Sequence, residues 1–143
     1  MPASRAGRDE QPRRRRPRVL VVDDTADVRD LYAEYFDAVG IGAVTAQDGA
    51  AGFTAAVHHR PDVIVMDLSM PRVDGIAAIK HLKSDRRTSG MPVILLTGYP
   101  YKAIERGALE AGADVFLTKP CLPEDLEQHV RRLIEEPKLH PAA

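Results

Sequence analysis

Three aspartates, a threonine and a lysine are the residues of this 143-residue chain whose types and spacing could do chemistry. Asp23-Asp24 follows a short apolar run over residues 19–22, and Asp67 follows a second over 63–66. Thr97 follows a third over 93–96, and Lys119-Pro120 comes just after a fourth over 114–117. If these runs are strands of one parallel sheet, all five groups converge at the edge formed by the carboxyl ends. Three carboxylates in one pocket repel unless something offsets their charge. A hard divalent cation does so, and Mg²⁺ takes about six oxygens at roughly 2.0–2.1 Å, keeping several waters. Such a site suits phosphoryl transfer to a carboxylate, because the equatorial oxygens of the moving group need neutralising by metal and cation. Lys119 can supply the cation as a point charge on a long stem, and the Thr97 hydroxyl can donate to a phosphoryl oxygen. Asp67 closes the middle run and should sit centrally; adjacent Asp23 and Asp24 suit metal binding from a loop. Spacing alone leaves the choice of nucleophile open.

The elements that must position these groups are legible as an alternation. Apolar runs rich in β-branched residues occur at 19–22, 42–46, 63–66, 93–96 and 114–117. The first, third and fourth lack polar alternation, as strands buried on both faces of a parallel sheet do. Between them the apolar residues take helical spacing: Val28, Leu31, Tyr32, Tyr35 and Val39, then Ile76, Ile79 and Leu82 with the Lys83 stem at the edge, and finally Leu122, Leu126, Val130 and Leu133. Thr25 is placed to cap the first helix, with Asp27 in its first turn. Gly40 follows that helix as a stop signal, and Pro123 suits the first position of the last. Pro61-Asp62, Asp74-Gly75 and Gly112 mark turns. Five strands alternating with five helices predict an α/β fold with helices on both sheet faces.

Residues 1–17 carry six Arg against Asp9 and Glu10 and show no apolar period, so they read as a disordered tail. Residues 18–136 read as one domain and 137–143 as a short polar end. Beyond the tail, 14 Lys and Arg face 19 Asp and Glu. That acidic balance argues against nucleic-acid binding by the fold itself, leaving Arg13, Arg14, Arg15 and Arg16 as the candidate; a run of this kind is more often simply solvated. Cys121 is the single cysteine, which excludes an intrachain disulfide and a Cys-based zinc site and fits a reducing cytosol. No apolar run approaches transmembrane length, and the basic start has no apolar stretch behind it, as a secretory signal would. The five histidines lack partners at metal-binding spacing.

Five segments together carry a resemblance: Val19-Leu20-Val21-Val22-Asp23-Asp24; Val63-Ile64-Val65-Met66-Asp67-Leu68-Ser69-Met70-Pro71; Asp74-Gly75; Leu95-Leu96-Thr97-Gly98; and Ala111-Gly112-Ala113-Asp114 followed by Phe116-Leu117-Thr118-Lys119-Pro120. In this order and spacing they resemble the receiver domain of bacterial response regulators over residues 18–136. The resemblance implies a flavodoxin-like, doubly wound sheet of five parallel strands in order 2-1-3-4-5 with five helices. It also implies a stand-alone phosphoacceptor of two-component signalling rather than a dedicated enzyme. On that pattern Asp67 takes the phosphoryl group from a histidine kinase or a histidine phosphotransfer protein. Asp24, Asp67 and the Ser69 carbonyl hold Mg²⁺, with Asp23 acting through water. Thr97 and Lys119 contact the phosphoryl group, and Phe116 is the switch aromatic that turns inward as Thr97 moves. Phe in place of Tyr leaves that switch to packing alone. With seven residues after Glu136, the output is expected to be a contact with a downstream protein, through the fourth helix, fifth strand and fifth helix, or a phosphate relay, in the cytoplasm.

Three departures from the pattern stand out. Cys121 replaces a larger apolar residue, Leu122 replaces a polar cap before Pro123, and Tyr99 and Ser69 sit at positions that govern water access to an acyl phosphate. Rival readings lack their residues. A phosphatase of the haloacid dehalogenase type needs Asp-x-Asp, whereas Asp67-Leu68-Ser69 stands here. A nucleotide-binding flavodoxin-like domain needs a phosphate-cradling loop where the acidic pair stands. A degenerate receiver used only for docking would not need the full acidic, hydroxyl and cationic set. Each residue alone has a plainer reading, as a turn, a cap, a solvated lysine or a core phenylalanine; the set of five does not.

Overall fold

The computed structural model describes residues 15–67, 75–98 and 102–136. Arg13, Arg14, Leu68, Ser69, Met70, Pro71, Asp74 and Tyr99 therefore lie outside the described residues. Within them the chain alternates as expected: β1 (Arg18–Val22), α1 (Ala26–Ala38), β2 (Gly42–Ala46), α2 (Gly49–His59), β3 (Val63–Asp67), α3 (Gly75–Ser84), β4 (Val93–Thr97), α4 (Lys102–Ala111), β5 (Val115–Thr118) and α5 (Pro123–Glu135). All four strand pairings are parallel, and the sheet order is β2-β1-β3-β4-β5. The order reverses between β1 and β3, which opens a crevice at their carboxyl ends.

The strands lacking polar alternation are the central ones. Residues 19–22, 63–66 and 93–96 are all buried, because helices cover both faces. On one face Tyr32 and Phe36 of α1 and Leu126 and Val130 of α5 pack on Val19, Val21, Val65 and Leu96. On the other, Ala56 of α2, Ile79 and Leu82 of α3 and Ala108 of α4 pack on Leu20, Val22, Met66 and Leu95. Side chains of a strand alternate between faces, so each apolar run feeds both cores at once.

Local detail departs from the sequence reading at Thr25 and Leu31 and follows it at Leu122. Thr25 is the N-cap residue of α1 in extended conformation, but its side chain makes no capping bond; its carbonyl instead accepts from the Val28 and Arg29 amides at 3.1 and 3.0 Å. Leu31, counted into the apolar stripe of α1, is 54% exposed, and Phe36 takes its place as a fully buried residue. Leu122 caps α5 without a side-chain bond, as its apolar character requires, and Pro123 opens the helix. Gly40 follows the α1 cap at φ +90°, where a side chain would be strained.

Candidate functional site

β1 and β3 run in register with Val22 opposite Met66, so Asp23 and Asp67 emerge one residue on, at the same level of the sheet edge. The carboxylates of Asp23, Asp24 and Asp67 bring oxygens within 4.8 Å of one another. Asp23 and Asp67 are each only 2% exposed, whereas Asp24 is open to solvent. The set therefore has two fixed interior acids and one accessible from outside. Short loops hold it rigid: the Asp23 Oδ1 accepts from the Thr25 amide at 2.9 Å, the Asp23 amide donates to the Ala46 carbonyl at 3.1 Å, and Arg29 Nη1 donates to the Asp23 carbonyl at 2.8 Å.

The lysine arrives from β5. The Lys119 amide donates to the Thr97 carbonyl at 2.7 Å, tying the ends of β4 and β5 together. Its Nζ reaches Asp67 Oδ2 at 3.0 Å and Asp23 Oδ2 at 3.6 Å. Thr97 is fully buried at the end of β4. β4 and β5 pair Leu95 with Phe116 and Thr97 with Thr118. Paired residues of neighbouring strands point the same way, and the period is two, so Thr97 and Phe116 share a sheet face. Phe116 is half-buried and packs on the core beneath α2, α3 and α4.

Charge and burial set the protonation balance. Burial pushes the Asp23 carboxyl up, and the neighbouring Asp67 adds to it; the Thr25 amide and the Lys119 charge oppose without prevailing. Lys119 is pulled down by burial, yet the bonds and charges of Asp67 and Asp23 outweigh that and raise it. The cluster thus holds its own cation, and two buried acids remain crowded around it. Hard carboxylate oxygens in this density, with one edge open at Asp24, fit a small divalent ion such as Mg²⁺.

All five residues singled out by sequence, Asp23, Asp24, Asp67, Thr97 and Lys119, lie at this edge, with Phe116 on the face beneath Thr97. Ser69, expected to lend its carbonyl, is outside the described residues. Two neighbours escaped the sequence reading. Arg29 fixes the Asp23 carbonyl, and the buried Tyr32 hydroxyl donates to the Cys121 carbonyl at 2.9 Å, bracing the loop that carries Lys119. The Tyr32 hydroxyl is pushed up to about 12, by burial first and then by the charge of Cys121 and of the acids. Burial also raises the Cys121 thiol, which keeps it a poor nucleophile.

Residues 19–131 match the family model of the response regulator receiver domain. The chain is 35% identical over 127 residues to the DNA-binding dual master transcriptional regulator RpaA of Synechocystis, covering 89% of this chain and 53% of that protein. It is 36% identical over 118 residues to the transcriptional regulatory protein PrrA of Mycobacterium tuberculosis, covering 82% and 50%. The chain spans about half the length of these curated relatives. Among solved structures it is similar to the Vibrio cholerae chemotaxis protein CheY4 (TM-score 0.79, 28% identity, 83% of this chain and 99% of that one). It is similar also to the receiver domain of the Francisella response regulator 1452 (TM-score 0.78, 32% identity, 85% and 99%).

Proposed function

The chain belongs to the response regulator receiver domain family of two-component signalling, and on that footing we propose that it is a phosphoacceptor switch that takes a phosphoryl group on Asp67. The observation that carries this reading is the meeting of Asp23, Asp24 and Asp67 within 4.8 Å, with the Lys119 ammonium 3.0 Å from the Asp67 carboxylate.

Asp67 is the nucleophile because it is central, buried and closest to the cation. One of its carboxylate oxygens attacks phosphorus in a donor phosphohistidine; the P–N bond breaks, and the imidazole leaves with the bonding pair and takes up a proton. Lys119 holds the attacking carboxylate in line and stays charged throughout, its proton secured by two carboxylates. Thr97, at the end of the neighbouring strand, donates its hydroxyl to a phosphoryl oxygen. A Mg²⁺ ion held by Asp24, Asp67 and the Ser69 carbonyl, with Asp23 acting through water, would neutralise phosphoryl oxygens and lower the repulsion between donor and acceptor. Asp23, whose carboxyl is pushed up by burial first and by Asp67 as well, would be stabilised in its charged form by such an ion.

Drawing Thr97 toward the phosphoryl group empties space on the face it shares with Phe116, and the half-buried ring moves inward to fill it. A local charge event is thereby read as a change of packed surface. The donor is a histidine kinase or histidine phosphotransfer protein, the output is a contact with a downstream protein or onward relay of the phosphate, and the setting is the cytoplasm. The chain acts as a substrate that assists its own phosphorylation and hydrolysis, not as a dedicated enzyme. Its domain spans residues 18–136, flanked by tails at 1–17 and 137–143. Among the described residues no helix is long and apolar enough to cross a membrane.

The test is phosphate incorporation from acetyl phosphate with Mg²⁺ or with EDTA, in the native protein and in Asp67→Asn. Labelling that needs Mg²⁺ and disappears in the variant is expected. No labelling of the native protein, together with no Mg²⁺ binding, would overturn the reading.

A further inference from the structure

The pole of the sheet opposite the acidic site carries a feature the phosphoacceptor reading does not use. A cleft of ≈ 470 Å³ opens between the end of α2 and the segment joining α3 to β4, lined by Val57, Arg60, Pro61, Arg86, Arg87 and Met91. Among the described residues no acidic side chain lines it. Arg87 is already satisfied, its Nε and Nη2 each 2.9 Å from a different oxygen of Asp85. Among the described residues the guanidinium groups of Arg60 and Arg86 have no hydrogen-bond or ion-pair partner, and both residues are exposed. The nearby acid Asp62 is also engaged, accepting from the Arg18 amide at 2.8 Å and lying 3.6 Å from Arg15. The acids at this pole are thus taken up locally, and two guanidinium groups are left uncompensated over an apolar wall of Val57, Pro61 and Met91. In a domain whose overall balance is acidic, that is a local inversion of sign.

We propose that this cleft is a docking site for an acidic peptide segment of a partner protein, with carboxylates on Arg60 and Arg86 and an apolar side chain between them against Val57 and Met91. Guanidinium forks match carboxylates in two-point geometry, and the volume suits one or two side chains rather than a folded element. Free phosphate would satisfy the arginines but leave the apolar wall bare. A single-stranded nucleic acid would need a ring on which to stack its bases. Phe53, the ring that the cleft's Arg87 reaches, is already stacked on His81, with centroids 4.0 Å apart and planes at 9°, and carries the Arg87 guanidinium 5.6 Å over it. Charge, apolar wall and occupied ring together favour the peptide.

The probe is a fluorescein-labelled Glu-rich peptide bearing one Leu, followed by fluorescence anisotropy on the full chain at low and moderate salt. Controls are the same peptide with Leu replaced by Ser and a single-stranded oligonucleotide of equal charge. The variant is Arg60→Asn with Arg86→Glu. Asn tolerates the left-handed backbone at residue 60 (φ 52°), and circular dichroism confirms that the variant is folded. A separate Met91→Ser variant probes the wall. Binding that weakens with salt, drops about tenfold or more in the arginine variant, and loses its preference for Leu in Met91→Ser is expected. No binding, binding unchanged by the arginine variant, or an oligonucleotide that binds as well as the peptide would each overturn the proposal. Asp67 labelling should be equal in native protein and variants, so failure here and failure of the phosphoacceptor reading are told apart.

Discussion

Replacing Asp23 by Asn should make the metal-free protein more stable at neutral pH, although it removes a charge that lies beside a lysine. Asp23 is 2% exposed, its oxygen lies within 4.8 Å of those of Asp24 and Asp67, and Lys119 Nζ is 3.6 Å away. With an effective dielectric near 20, repulsion from Asp67 comes to about 3 kcal/mol and attraction to Lys119 to about 5 kcal/mol. These largely cancel, so desolvation of the buried charge, the first cause of the upward shift, decides the sign. Asn keeps the oxygen that accepts from the Thr25 amide, and the net gain should be about 1 kcal/mol. The pH dependence follows from the upward shift. The unfolded carboxyl releases its proton near 3.8, while the folded one holds it to higher pH. Native stability therefore falls as pH rises from 3.8 through the folded value. The advantage of Asn is absent below that window and complete above it. Urea unfolding in EDTA from pH 3 to 8 measures this. Mg²⁺ should then reverse the order, since an ion at about 100 times its Kd stabilises the native site by roughly 2.7 kcal/mol and binds the variant less well. Asp23→Asn less stable than the native protein in EDTA at pH 7 would refute the claim that desolvation, rather than the lysine pair, governs this residue.

Other consequences can be checked in the same way. A methyl group added at Gly52 would lie 2.9 Å from Val22 Cγ2, so Gly52→Ala should destabilise by about 1 kcal/mol in urea, overpacking outweighing the helix preference of Ala. Thr88 is buried and its hydroxyl donates to the Leu82 carbonyl at 2.6 Å; Thr88→Val should cost about 1–2 kcal/mol and lower the thermal midpoint. Glu127 is held below its usual range by the Tyr35 hydroxyl first and by Arg131 second. It therefore stabilises the fold above its unfolded pKa and loses that contribution as pH falls through the lower folded value. Tyr35→Phe should flatten this acid limb, and an unchanged limb in an acid titration of stability would count against the pairing. Lys119→Ala should slow labelling from acetyl phosphate at least tenfold while Mg²⁺ still binds, since removing the ammonium takes a charge from the transferring group but none of the oxygen donors.

What the sequence exposed and what it hid divide along a physical line. The central strands were legible because burial on both faces forbids polar alternation, and residues 19–22, 63–66 and 93–96 carry none. The site was legible because the carboxyl ends of parallel strands share one edge, so position along the chain at run ends 23, 67, 97 and 119 converts into position in space. The two-dimensional order of the strands was not; it came with the family resemblance, since periodicity says nothing about which strand lies beside which. Leu31 misled because residues at i, i+3 and i+4 spread over a wide arc of a helix, and α1 turns Tyr32 and Phe36 inward instead. The bonds of the Arg29 guanidinium and the Tyr32 hydroxyl were invisible because their targets are backbone carbonyls, which leave no mark in residue type. The Arg60 and Arg86 cleft joins groups from two separate loops, and only the fold brings them together.

The same geometry explains how the fold can carry a costly acidic site. The sheet supplies nearly all of its burial to apolar side chains, and the stability so gained lets two acids sit 2% exposed at the open edge. Lys119 offsets part of that charge from a loop tied to β4 through the Thr97 carbonyl and to α1 through the Tyr32 hydroxyl. A cation fixed in this way is available where charge must be neutralised, yet it satisfies the acids incompletely, as the upward shift of Asp23 records. A divalent ion held by the three carboxylates would offset that remaining charge. A fully satisfied cluster would be more stable and would have less affinity left for such an ion.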